Sequence, residues 1–227
     1  NVPIAGGGAS VKALLLVDDK SVWLGTDEGI YLIVRHFFNH IDVKKKYPDS
    51  DVTFIKQLQA IEDRVYFSDS YNLYTADYRS QNPEIERYRV NSSSPVNTFA
   101  AGEKALWVSF ENSELHKIDV LTKETIFKTK ISGGWISAAF TDKEGRFYGF
   151  QQDSQKLIFI DDKLRETEYR INGKRDVRIQ SIKSNNKGEI ILAGKSAESV
   201  LFRLDRDKGQ IESVTIKGDK EILNKIT

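Results

Sequence analysis

Cysteine and methionine are both absent from this 227-residue chain, and proline occurs four times. The missing thiols exclude disulfide scaffolds, thiolate metal sites, iron–sulfur ligation and cysteine nucleophiles together, and leave the compartment open. With no initiating methionine and a start at Asn1-Val2-Pro3, the sequence is expected to be a processed product or an excerpt. A secretory signal, where one exists, then lies outside it. Excess charge of either sign is missing too. The 34 Lys+Arg stand against 33 Asp+Glu, a net charge of +1, which removes the electrostatic basis for nucleic-acid binding. The longest apolar run, Ala13-Leu14-Leu15-Leu16-Val17, falls far short of the ~20 residues that span a bilayer. What remains is an ordinary globular balance, with 39% hydrophobic and 30% charged residues.

Internal repetition organises that composition. Short apolar segments recur around Trp23, Tyr66, Trp107, Tyr148 and Ile191, at spacings of 43, 41, 41 and 43 residues. Each is preceded by another apolar stretch, opening at Val11, Val52, Val96, Ile136 and Ile179. One more step of 43 from Ile179 reaches Ile222. Turn formers such as Asp18-Asp19, Glu62-Asp63 and Asn185-Asn186-Lys187-Gly188 separate the two stretches. A third stretch follows, as in Leu73-Tyr74-Thr75-Ala76, and then a more polar fourth, as in Glu168-Tyr169-Arg170-Ile171. The stretches are β-branched and aromatic, and no 3.6-residue period is sustained.

Four short strands in a unit of about 40–45 residues predict an all-β fold, a β-propeller of four-stranded antiparallel blades. One twisted sheet cannot cover both its faces, and radial stacking buries them. The expected organisation is a leader or closing strand over 1–10 and five blades at about 11–51, 52–95, 96–135, 136–178 and 179–221. Residues 222–227 begin a sixth unit or close the ring. A complete five-bladed ring and part of a larger propeller both fit the repeat.

Val22-Trp23-Leu24-Gly25-Thr26-Asp27-Glu28-Gly29-Ile30-Tyr31 resembles the repeat of two-component regulator propellers. The other units keep the rhythm and lose the Gly-Thr detail. The same stretch is similar, more weakly, to the opening blade of citron-homology propellers, which are protein-interaction domains. The first resemblance implies a periplasmic or extracellular sensor region, seven-bladed propellers, glycan ligands outside and an attached signalling module outside this chain. Read from the residues themselves, Trp23 fills the wedge between blades, Gly25 admits the neighbouring inner strand, and Gly29 makes a positive-φ turn.

Several constellations suggest chemistry and have plainer explanations. Asp77, Asp119, Asp161 and Asp205 recur after each third strand, where a carboxylate accepting backbone N–H bonds starts a turn. His36 and His40 have the helical spacing of a zinc pair, without an intervening acid. His116 has no nucleophile near it in sequence. Lys44-Lys45-Lys46 reads as a solvated loop, Asn91-Ser92-Ser93 as a weak glycosylation match, and Gly6-Gly7-Gly8 as a flexible leader. No metal and no cofactor is expected.

The propeller geometry nonetheless narrows a site. Loops entering each first strand and loops between second and third strands should share one face. That face would collect Trp135, Arg178, Asp51 and Ser94 from the first set, and Glu28, Tyr71, Glu111, Gln152 and Lys195 from the second. Trp135, Arg178, Tyr71, Glu111, Gln152 and Asp51 are the candidate ligand-binding residues. Trp135 stands out because Gly133-Gly134 would let a flexible loop present its indole to a sugar or a partner chain. The leading expectation is a non-enzymatic propeller that binds a small molecule, a glycan or a protein partner. The alternatives are a protein–protein scaffold and a five-bladed glycosidase-like or metal-dependent enzyme, which needs converging carboxylates in the channel.

Overall fold

A computed structural model describes residues 10–16, 21–27, 29–34, 37–50, 55–77, 79–80, 83–88, 90, 92–171, 176–195 and 199–214. Among these described residues, twenty strands fall into five consecutive antiparallel quartets, each ordered as in the sequence. The first blade comprises β1 (Val11–Leu16), β2 (Ser21–Thr26), β3 (Ile30–Val34) and β4 (Phe37–Ile41). The second comprises β5 (Gln57–Ile61), β6 (Arg64–Ser68), β7 (Leu73–Asp77) and β8 (Ile85–Tyr88). The third holds β9 (Val96–Ala101), β10 (Ala105–Phe110), β11 (Glu114–Asp119) and β12 (Thr125–Lys130). The fourth holds β13 (Ile136–Thr141), β14 (Phe147–Gln151), β15 (Lys156–Ile160) and β16 (Glu166–Ile171). The fifth holds β17 (Arg178–Ser184), β18 (Ile190–Lys195), β19 (Ser199–Asp205) and β20 (Gln210–Val214). First strands neighbour one another in chain order, β1 by β5, β5 by β9, β9 by β13 and β13 by β17. This is a β-propeller, with the first strands at the axis and the fourth strands at the rim.

The core lies between blades. Strand alternation sends each anchor toward the following blade and its two neighbours toward the preceding one. Trp23 packs with Ile55, Val65 and Phe67 of the second blade, and Tyr66 with Phe99, Leu106 and Val108 of the third. Trp107 meets Phe147 and Ile158 of the fourth, and Tyr148 meets Ile182, Leu192 and Phe202 of the fifth. All four anchors are buried to 2% exposure or less. Gly25 fits the expectation set for it, because a Cβ there would stand 2.8 Å from Ile55 Cγ2. Gly29 has φ 138°, the positive-φ turn between β2 and β3.

Three features depart from the sequence reading. The Lys44-Lys45-Lys46 run is a short helix, α1 (Val43–Lys46), not an irregular loop; Asp42 Oδ1 caps it by accepting from Lys45 N at 3.1 Å. Its three lysines are exposed, as expected of a solvated run. The second blade's first strand begins at Gln57, five residues after Val52, which lies outside the described residues. The fourth and fifth blades also touch at the rim, where β16 and β20 run parallel through Arg170–Gln210 and Ile171–Ile211. Two residue pairs at the outer edge join sheets whose inner strands remain separate. No helix among the described residues is long and apolar enough to cross a membrane.

Candidate functional site

Strand direction sets one face of the propeller. Within each blade the start of the first strand lies opposite the end of the second, as in Ile136–Gln151 and Arg178–Lys195. Across blades, loops at that end bond to one another. Ile55 N donates to Thr26 O at 3.0 Å, Val96 N to Ser70 O at 2.6 Å and Ile131 N to Ser113 O at 2.9 Å. Gln152 Nε2 donates to Val177 O at 2.8 Å. The entry loops and the second-to-third-strand loops therefore do share a face.

Of the sequence-derived candidates, this face carries Trp135, Tyr71, Glu111, Gln152 and Arg178, while Asp51 and Glu28 lie outside the described residues. They form two neighbourhoods. Around the second and third blades, Lys56 Nζ bonds Val96 O at 3.0 Å and stands 3.9 Å from Glu111 Oε1, with Tyr71 exposed in the adjoining loop. Ser94 Oγ accepts from Asn112 N, tying the same loops together. Around the fourth and fifth blades stand Trp135, Gln152 and Arg178. Gln152 is committed to Val177 O, and Gln155 holds the same residue through Val177 N and O.

Trp135 is 41% exposed, whereas Trp23 and Trp107 are fully buried. Its loop differs from the flexible presentation the two glycines suggested. Gln151, fully buried, donates from Nε2 to both Ser132 O and Gly134 O at 2.9 Å. Gly133 and Gly134 have φ of 95° and 106°, and a Cβ at Gly134 would approach Asp153 Oδ2 to 3.0 Å. The glycines therefore serve a fixed turn packed against Gln151 and Asp153. The residue that sets the indole is Gln151, next to the Gln152 singled out from sequence; a buried glutamine at a strand end gives no sequence signal that separates it from its neighbour.

A cavity of ≈ 340 Å³ lies on the axis, lined by β5, β9, β13 and β17 with Lys56 at its edge. Its polar groups are largely engaged between blades. Gln57 and Gln59 both donate to Phe99 O, at 3.0 and 2.9 Å. In return Gln57 Oε1 accepts from Phe99 N, and Gln59 Oε1 accepts from Ala101 N at 2.8 Å. Asn97 Nδ2 likewise bonds Ile136 O. Each amide acts as a short piece of ladder, satisfying an inner strand edge where no backbone partner exists. The described residues lining this cavity include no carboxylate and no histidine.

The remaining constellations resolve into structure. Asp77 Oδ1 accepts from Arg79 N, Asp119 Oδ1 from Leu121 N and Thr122 N, Asp161 Oδ1 from Lys163 N and Arg165 N, and Asp205 Oδ1 from Lys208 N. The periodic aspartates thus start turns, as the sequence reading held. His40 lies on β4, and His36 lies outside the described residues. His116 is buried on β11, with Nε2 3.3 Å from Glu114 Oε2, Nδ1 unpartnered and the Phe110 ring at 4.6 Å. Among the described residues no group of three or more His, Asp or Glu is placed to hold a metal.

No family model matches this sequence, and no curated protein matches it. Solved structures match its fold. A streptogramin B lyase aligns over 92% of this chain and 70% of its own length, at 12% identity and a TM-score of 0.73. The extracellular domain described as that of a hybrid two component system from B. thetaiotaomicron aligns over 92% of this chain at 16% identity and a TM-score of 0.65. This chain spans 28% of that protein. The Pan2 WD40 domain of Neurospora crassa aligns over 91% of this chain and 65% of its own length, at 13% identity and a TM-score of 0.64. At such identities the likeness concerns the propeller fold, which here serves a lyase, an extracellular domain of a two component system and a WD40 domain alike.

Proposed function

We propose that this chain is a non-enzymatic, ligand-binding propeller, the extracytoplasmic sensor region of a two-component signalling receptor. It binds a glycan or other small ligand on the loop face and relays occupancy to a signalling module outside the chain. The observation that carries this reading is Trp135. A half-exposed indole on a turn held by a buried glutamine is a pre-organised stacking surface, and ordering it on binding costs little further entropy. Arg178, Tyr71, Glu111 and Gln152 contribute polar and aromatic groups on the same face, with Asp51 completing the proposed set. Support for a sensor comes from the repeat motif around Trp23 and from the fold shared with the B. thetaiotaomicron extracellular domain. Support for a non-enzymatic role comes from an axial cavity whose described lining carries no carboxylate or histidine, where a glycosidase requires a carboxylate pair. The reading places the chain in the periplasm or outside the cell.

Intrinsic fluorescence tests it, because Trp135 is the one exposed indole. Titration with a panel of neutral and acidic oligosaccharides should change the emission of the iodide-accessible fraction. Trp135→Ala and Arg178→Ala should each weaken the responding sugar's binding about tenfold or more, with little change in the unfolding midpoint. Unchanged affinity in Trp135→Ala would remove the loop face as the site.

A further inference from the structure

The axial cavity has two kinds of wall. On the second and third blades its polar side chains are engaged with neighbouring strands. Gln57 and Gln59 reach Phe99 O, Asn97 reaches Ile136 O, and Thr98 Oγ1 donates to Gln57 Oε1 at 2.9 Å. On the fourth blade Ser137 Oγ donates to Phe150 O at 3.1 Å. The fifth blade is different. Gln180, Ser181 and Lys183 on β17 line the same cavity, and among the described residues their side chains have no hydrogen-bond or ion-pair partner.

Register explains the difference. Lys183 pairs with Ile191, the fifth anchor, as Gln59 pairs with Tyr66, and Ser181 pairs with Ala193 as Gln57 pairs with Ser68. The two rows that hold ladder-completing amides in the second blade thus hold a lysine and a serine in the fifth. Each of those glutamines bonds both a carbonyl and an N–H of the adjacent inner strand. An ammonium has three donors and no acceptor, so lysine cannot reproduce that two-way bond.

Charge distinguishes the cavity as well. Its lining holds two lysines, no carboxylate and no arginine. Lys56 already bonds Val96 O and stands 3.9 Å from Glu111 Oε1, which leaves Lys183 as the unpaired cation among the described lining residues. A concave site lined by one sign of charge focuses the field and concentrates the opposite ion. The volume, ≈ 340 Å³, lies near the lower end of the roughly 300–1,000 Å³ typical of small-molecule sites. One ammonium flanked by a hydroxyl and an amide suits a single carboxylate. A phosphate dianion calls for more cations or an arginine fork, which the lining lacks. Leu58, Ala138 and Ile182 offer an apolar surface to the carbon skeleton.

From these walls we infer that the axial cavity is a binding site for a small organic monocarboxylate the size of one sugar acid. Lys183 holds the carboxylate, and Ser181 and the Gln180 amide donate to its oxygens. The site is separate from the Trp135 turn, and the inference does not depend on the ligand proposed there.

Calorimetric titration of the 227-residue chain with glucuronate tests it, with glucuronamide as a neutral analogue of the same shape. Glucuronate should bind saturably with a Kd of about 1 mM or tighter, and glucuronamide at least tenfold more weakly. Lys183→Gln should weaken glucuronate at least tenfold and erase the preference over glucuronamide. Lys183→Arg should restore most of the affinity, and Lys187→Gln, which removes an exposed lysine from the next turn, should change neither. Circular dichroism checks that each variant is folded. Glucuronate should also shift the backbone amide resonances of residues 180–183. Absence of saturable glucuronate binding, equal affinity for glucuronamide, or an unaltered affinity in Lys183→Gln overturns the inference. Inorganic phosphate bound more tightly than glucuronate gives the cavity to another anion and overturns it too. So do shifts confined to the loops around Trp135, which would move the carboxylate to the loop face.

Discussion

Gln151 donates a hydrogen bond to the carbonyl of Gly134 at 2.9 Å, from a side chain wholly removed from solvent. That bond, with its twin to Ser132, decides where Trp135 stands. Gln151→Leu should leave two carbonyls without their donor and cost about 1–3 kcal/mol, measured by urea unfolding. The variant should also broaden and shift the iodide-accessible tryptophan emission. An unchanged spectrum would mean that the glycines alone set the turn.

The paired glutamines of β5 make a different prediction. Gln57 and Gln59 share the carbonyl of Phe99, so either can partly serve it when the other is lost. Gln59→Leu should cost about 1–3 kcal/mol, chiefly through the abandoned Ala101 N–H. A double-mutant cycle with Gln57→Leu should show coupling of about 0.5–3 kcal/mol, because the double variant alone leaves the Phe99 carbonyl bare. Strict additivity would argue that the two amides act independently.

Close approach of backbones predicts an asymmetry among glycines. A Cβ at Gly194 would stand 2.7 Å from the Arg178 carbonyl oxygen, and a backbone atom cannot swing aside. Gly194→Ala should destabilise by about 1–3 kcal/mol in chemical denaturation. Gly188, at φ 76° with open space around it, should tolerate Asn with a much smaller loss, since Asn enters that region readily.

His116 gives the protein an acid-sensitive element. Burial pushes its pKa below the ordinary imidazole value, and the Lys128 charge pushes the same way, against a smaller opposing pull from Glu114. The folded state therefore binds this proton less readily than the unfolded chain, whose value is near 6.5. Its contribution to stability is level above about pH 6.5 and declines as pH falls below that value toward the lower folded-state pKa. Urea midpoints across that range should show a slope that His116→Phe reduces. Parallel curves for the two proteins would count against it.

The turn aspartates titrate in the opposite sense. Backbone N–H groups of Thr122, Arg165 and Lys208 hold Asp119, Asp161 and Asp205 below the ordinary carboxylate range. Their contribution is present at neutral pH and is lost as pH falls through those lowered values. Carbon-detected NMR titration should find all three midpoints below the usual Asp value, and Asp161→Ala should lower the melting temperature more than Asp161→Asn, which keeps an acceptor oxygen.

Periodicity made the fold legible before any coordinates. Trp23, Tyr66, Trp107 and Tyr148 recur because each wedge between blades needs one bulky apolar side chain, and a repeated physical demand leaves a repeated residue. Gly25 and the periodic aspartates are legible for the same reason, since close approach and turn initiation are local requirements met by few residue types. The α1 helix was missed, because it is not part of the repeat.

The sequence by itself determined the propeller, its blade spacing and the face on which its loops gather, all consequences of strand alternation and short turns. Tertiary structure alone decided which polar residues are free. Gln57 and Gln59 meet backbone groups of the next blade's inner strand 40–42 residues away, and Gln151 meets carbonyls of the loop entering its own blade 17–19 residues away. Whether a glutamine binds a ligand or completes a strand edge depends on what stands opposite it, and only the packed arrangement of blades sets that.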